Sequence, residues 1–114
     1  MRILHPAMAA LLVALVTACG GDSASASSGP ATLQVEVKDY AFPPNLVVAP
    51  GGKVTFTTTD AEPHTVQADN GAFQTVPFGP GEAEEATMIA PSETGSYSFF
   101  CTLHLDMKGT LEVR

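Results

Sequence analysis

The segment Cys101-Thr102-Leu103-His104-Leu105-Asp106-Met107 brings a thiol, an imidazole and a thioether together at Cys-x2-His-x2-Met spacing. A loop that short can turn all three side chains toward one point. The thioether is the discriminating member, because it is a soft, weak ligand that suits copper and serves zinc, calcium or magnesium poorly. One thiolate and two imidazoles in a trigonal set, with a long axial thioether, make up a blue-copper centre. A second histidine is therefore required. The chain has three histidines. His5 lies in an N-terminal segment expected to be removed, which leaves His64, in Asp60-Ala61-Glu62-Pro63-His64-Thr65-Val66. The expected ligand set is His64, Cys101, His104 and Met107 around one copper ion.

Other arrangements of the same residues are weaker. Met88 is the rival thioether, but it sits within the strand-like run Ala86-Thr87-Met88-Ile89 and reads as core. A zinc site of Cys101, His64 and His104 with Asp106 as fourth donor is disfavoured, since structural zinc prefers more thiolate or imidazole. A disulfide between Cys19 and Cys101 would remove the thiolate from a better-defined motif.

Strands must position these groups. Leu33, Val35 and Val37 alternate with Gln34, Glu36 and Lys38, the period-2 pattern of a half-buried strand. Leu46-Val47-Val48 reads as a second strand and Val54 to Thr59, β-branched or aromatic throughout, as a third. Thr65-Val66-Gln67 is a candidate fourth. Residues 70–82 carry Asn-Gly and Gly-Pro-Gly and read mostly as loop around a short Phe73 to Phe78 segment. Glu85 to Ile89, Ser96 to Cys101 and Thr110 to Val113 complete the set, with a turn at Pro91 to Gly95 and Gly109 opening the last strand. Beyond the N-terminal segment no window shows helical apolar spacing. The expected fold class is all-β, a sandwich or barrel.

These motifs together resemble the plastocyanin/azurin family, the small cupredoxins, over essentially all of residues 31–114. Phe42-Pro43-Pro44-Asn45-Leu46-Val47-Val48 and Gly51-Gly52-Lys53-Val54-Thr55-Phe56 are similar to the family's second and third strands, and Pro63-His64-Thr65-Val66 to its first-ligand motif. Gly95 to Cys101 leads into the ligand loop, and Met107 to Val113 leaves it. The short Cys-x2-His-x2-Met loop is most similar to that of amicyanin. The resemblance implies a Greek-key β-sandwich, and His104 as the surface ligand through which electrons pass. Two positions depart from the pattern. Thr65 stands where many members carry an asparagine that braces the cysteine loop; its hydroxyl is expected to take over part of that bracing, with Thr102 answering it. Leu103 stands where plastocyanin and amicyanin have proline. Leu103 and Leu105 either form an apolar docking patch beside His104 or cap the core.

The N-terminus reads as an export signal. Arg2 is followed by the uncharged apolar run Ala7 to Val16, too short to span a bilayer, and by small residues before Cys19. Val16-Thr17-Ala18-Cys19 resembles a bacterial lipobox, with Val16 where leucine is more usual. The expected organisation is a lipoprotein-type signal over 1–18, a lipidated Cys19 with a flexible tether of small polar residues over 19–30, and a copper-binding domain over 31–114. Two acyl chains give stable anchoring where one is marginal. Localisation would be extracytoplasmic, on a bacterial membrane.

The formal net charge of −7, one unit more negative once Arg2 is removed, argues against nucleic acid as a partner. It is compatible with a basic protein partner. No nucleophile-plus-base pair exists in the mature chain beyond the copper ligands, so no catalytic turnover is expected. The expected function is one-electron transport between redox partners, with a partner that is membrane-bound or docked at the same surface. The alternative is a module that buffers or delivers copper at the cell surface. Histidine-rich or methionine-rich tracts would favour that role, and the chain has none.

Overall fold

Seven strands follow one another in the computed structural model, which describes residues 28–114. They are β1 (Thr32–Val37), β2 (Leu46–Val48), β3 (Lys53–Thr58), β4 (Gln67–Ala68), β5 (Ala86–Ile89), β6 (Gly95–Phe100) and β7 (Lys108–Val113). No helix occurs among the described residues. The expected signal segment and Cys19 lie outside them. Strands β1-β3-β5 form one sheet and β2-β7-β6-β4 the other. Pairs β1–β3 and β2–β7 are parallel, and the remaining pairs are antiparallel. From β1 to β6 the chain changes sheet at every connection, so the two sheets face each other as a sandwich. The outermost ties of the fold reach Gly29, whose N–H donates to the Arg114 carbonyl (2.6 Å), and Pro30, whose carbonyl accepts from Ala49 (2.8 Å).

Alternation along the strands sends one set of side chains into the space between the sheets. Val35 and Val37 are buried while Gln34 and Glu36 face out, as their spacing predicts. Phe56, Phe78 and Phe99 are the largest fully buried side chains. Each contributes about 1.5–3 kcal/mol through burial. Phe42 meets Phe99 edge-on at 4.7 Å, and Phe56 stacks on Phe78 at 5.9 Å. Met88 is buried in β5 opposite Val54, in the sheet that does not contain β6. It is core, as expected.

The expected fourth strand begins two residues late. His64 and Thr65 precede β4, and His64 makes an isolated bridge with Phe78. The Phe73 to Phe78 segment is likewise held by single bridges, Gln74 with Gln67 and Phe78 with His64. Short-range alternation could not reveal this, because the segment is stitched point by point rather than as a ladder.

Between β1 and β2 the chain makes a tight turn closed by Ala41 N–H to Lys38 O (3.1 Å). Its two central residues, Asp39 and Tyr40, have φ of 57° and 56°. A type I′ turn demands positive φ at both positions and favours Asn-Gly there. An Asp-Tyr pair in that conformation costs about 1–3 kcal/mol per residue, so something else must hold it.

Candidate metal centre

Strand pairing builds the site. β4 runs antiparallel to β6, with Gln67 opposite Phe100 and Ala68 opposite Phe99. Continuing that pairing toward the end of the sandwich brings His64 and Thr65 beside Cys101, the residue after β6. The β6–β7 connection then folds back on itself: Cys101 N–H donates to Met107 O (3.0 Å) and Met107 N–H to His104 O (2.8 Å). Those two bonds close the short loop and set the buried Met107 next to Cys101 in the backbone.

One ligand atom each from His64, Cys101 and His104 lies within 4.8 Å of the other two. Both imidazoles present Nδ1 to the thiol. His64 Nδ1 is 4.0 Å from Cys101 Sγ, and His104 Nδ1 is 3.6 Å from it. Cys101 and His64 are fully buried, whereas His104 is partly exposed. The structure thus brings together the three nitrogen and sulfur donors expected from the sequence, with Met107 closing the same loop.

The other face of each imidazole meets a carboxylate. Asp60 Oδ2 is 2.8 Å from His64 Nε2, and Glu62 Oε1 is 3.1 Å from His104 Nε2. An ionised carboxylate only accepts, so in each ring Nε2 carries the proton and Nδ1 offers its lone pair toward Cys101. Pattern alone assigned no role to Asp60 or Glu62, although both stand close to His64 in the chain. Acidic residues two and four positions ahead of a ligand histidine were the available signal. Tyr40 was missed as well, and no local signal marks it. Its ring meets His64 and His104 edge-on, at 5.3 Å from each.

Electrostatics follow from these contacts. Burial pushes the Cys101 thiol up, but hydrogen bonds to the thiolate from the Thr65 N–H, from the imidazolium form of His104, from the Leu103 N–H and from the imidazolium form of His64 bring its pKa down to about 6. The Cys101 sulfur holds His104 above the usual imidazole value against the opposing effect of burial, and Glu62 adds to the rise. Burial likewise raises the Asp60 carboxyl, but hydrogen bonds from the Tyr40 N–H, His64 and the Asp39 N–H outweigh it and leave the pKa lowered.

Thr65 braces the loop. Its N–H points at Cys101 Sγ (3.4 Å) and its Oγ1 accepts from the Thr102 N–H (2.8 Å). The two threonine hydroxyls are 2.7 Å apart. A hydroxyl pair therefore does the bracing expected at the position where an asparagine is more common. Leu103 and Leu105 are 52 % and 65 % exposed, so they flank His104 at the surface and do not cap the core.

A family model for a cupredoxin-like domain matches residues 8–113. No curated protein matches the chain by sequence. Among solved structures, a reduced amicyanin variant superposes with a TM-score of 0.62 at 22 % identity, covering 78 % of this chain and 88 % of that one. Another reduced amicyanin variant is 26 % identical, with a TM-score of 0.57 over 73 % of this chain and 82 % of that one. A purple cupredoxin from Nitrosopumilus maritimus is also 26 % identical, with a TM-score of 0.60 over 71 % of this chain and 98 % of that one. The donor chemistry agrees with the fold. One soft thiolate and two imidazoles, with a buried methionine on the same loop, fit a single copper ion.

Proposed function

The chain belongs to the cupredoxin-like family, and on that premise we propose that it is an extracytoplasmic blue-copper protein carrying one electron at a time between redox proteins. The observation that carries this reading is the convergence of His64 Nδ1, Cys101 Sγ and His104 Nδ1 at one end of a rigid sandwich. His64, Cys101 and His104 would hold the ion, with Met107 as a weak fourth donor. Copper bound there supplies a Cu(II)/Cu(I) couple. The protein's part is to keep its donors still. Cys101 is fixed by the Met107 carbonyl and the Thr65 N–H, and both histidines are fixed by carboxylates. Donors that need not move between oxidation states keep the structural cost of each transfer small. His104, partly exposed between the exposed Leu103 and Leu105, is the route for electrons to a partner.

The protein loaded with Cu(II) should be intensely coloured, because a short copper–thiolate bond gives strong visible charge transfer. Cys101→Ser should abolish the colour, since a hydroxyl is not a soft anionic donor. A colourless or faint Cu(II) adduct of the folded protein would refute the assignment. Rapid electron exchange with no loss of copper to an acceptor favours transport over copper delivery, and the opposite pattern favours delivery.

Anchoring through Cys19 belongs to the same proposal. Gly29 and Pro30 are tied into the domain, so the free tether spans residues 20–28 at most, with a root-mean-square reach of about 15–18 Å. The domain could then turn over the membrane without travelling far, and its partner would be membrane-bound or docked there. Cys19→Ser should release the domain or leave the precursor uncut. Equal electron delivery by released and anchored forms in intact cells would make a diffusible partner the better choice.

A further inference from the structure

One carboxylate touches two walls of the centre. Asp60 Oδ2 accepts from His64 Nε2 (2.8 Å) and from the Tyr40 N–H (2.9 Å), while Oδ1 accepts from the Asp39 N–H (2.7 Å). The Asp60 side chain is 8 % exposed and His64 is fully buried. Asp60 is itself held in place: its N–H donates to Thr58 Oγ1 (3.0 Å), and that hydroxyl donates to the Val37 carbonyl (2.7 Å). The two N–H groups it captures belong to Asp39 and Tyr40, the consecutive non-glycine residues at positive φ. Strain at a site signals that the surroundings over-determine it, and here Asp60 supplies the determining bonds. The result is that the Tyr40 ring lies edge-on against both imidazoles, 5.3 Å from each, while the imidazoles lie 5.0 Å from one another.

We propose that Asp60 is a positioning residue that holds His64 as the Nε2–H tautomer with Nδ1 toward Cys101, and that with the same carboxylate it pins the strained Asp39–Tyr40 turn so that Tyr40 screens the two imidazoles from small exogenous ligands. This rests on the copper-centre reading above. An asparagine amide in place of the Asp60 carboxylate could not do the same. Three N–H groups converge on two acceptor oxygens, and an amide nitrogen placed at either oxygen would face an N–H with an N–H. Set against His64, that nitrogen would favour the Nδ1–H tautomer, whose protonated nitrogen faces Cys101 and is unfit to ligate.

The test uses D60N and Y40G beside the unaltered protein. Y40G removes the ring and relaxes the left-handed φ, so turn strain cannot prevent its folding. Long-range proton–nitrogen correlation spectra of the metal-free protein report the tautomer. Competition titration gives Cu(II) affinity, and imidazole is titrated into the Cu(II) form while the visible spectrum is followed. His64 should carry its proton on Nε2 in the unaltered protein. D60N should break one of the three bonds and weaken Cu(II) affinity about 10–100-fold, the usual effect of losing such a partner, with the His64 proton moving to Nδ1 in the orientation that sets the amide nitrogen against that ring. Y40G should keep the tautomer but let imidazole change the spectrum at lower concentration than in the unaltered protein. An Nδ1–H tautomer in the unaltered protein overturns the proposal without any variant, and so covers the case of an unfolded D60N. Unchanged Cu(II) affinity in D60N overturns the positioning role, and an unaltered imidazole response in Y40G overturns the screen. A colourless Cu(II) protein with the Nε2–H tautomer intact would refute the copper reading and leave the clamp standing.

Discussion

Replacing Thr65 by valine keeps the shape of a buried side chain and deletes one hydroxyl. That hydroxyl accepts from the Thr102 N–H at 2.8 Å and pairs with the Thr102 hydroxyl at 2.7 Å. With Thr65→Val the Thr102 N–H points at a methyl group. A buried donor without a partner costs about 1–3 kcal/mol, and the lost hydroxyl pair adds about 0.5–1.5 kcal/mol. The Thr102 side chain is exposed, so water recovers part of this. A net loss of about 2–3 kcal/mol follows. In a domain of this size it lowers the melting temperature by about 8–24 °C. Thr102→Val removes only the hydroxyl pair, because Thr65 Oγ1 still accepts from the Thr102 N–H, and should cost about 0.5–1.5 kcal/mol. The double variant should cost little more than Thr65→Val alone, since both changes delete the same hydroxyl pair. Thermal unfolding of the metal-free protein, followed by circular dichroism, measures all three. If Thr65→Val melts no lower than Thr102→Val, the Thr102 N–H does not depend on Thr65 and the bracing argument is wrong.

Gly109→Ala should destabilise by about 1–3 kcal/mol through overpacking, because a Cβ there would sit 2.5 Å from Phe99 Cζ and 3.2 Å from Phe42 Cβ; an unchanged melting temperature would mean that the Phe99 ring yields freely. As the proposed weak fourth donor, Met107 would mainly tune the potential, so Met107→Leu should retain copper and colour and raise the reduction potential. Voltammetry that finds no shift would show that Met107 is not a donor to the ion. In the metal-free protein the Cys101 thiolate absorbance near the ultraviolet edge should titrate with a midpoint of about 6. Since that value lies below the ordinary 9.0, the stabilisation is complete above the unfolded value and is lost as pH falls through the folded one. Cys101→Ser should lack that pH-dependent component of stability.

The donor types and the all-β class were legible in the chain because both depend on short-range pattern. Cys101, His104 and Met107 lie within one loop, and the softness of their atoms selects the metal whatever the surrounding fold. Val35 and Val37 alternate with polar neighbours, and alternation alone assigns them an inward face. His64 was reached through the chemistry of a missing imidazole and a shortage of other histidines, with no contact to support it. Only the tertiary structure decided which ring nitrogen faces the sulfur, because that depends on Asp60 and Glu62 meeting the far side of each imidazole. Only the tertiary structure placed Tyr40 against both rings, through a turn whose backbone conformation its own residues disfavour. Residue type reports what an atom can bond to. Which of its faces is used depends on groups that the chain brings together from far apart, and no local pattern encodes them.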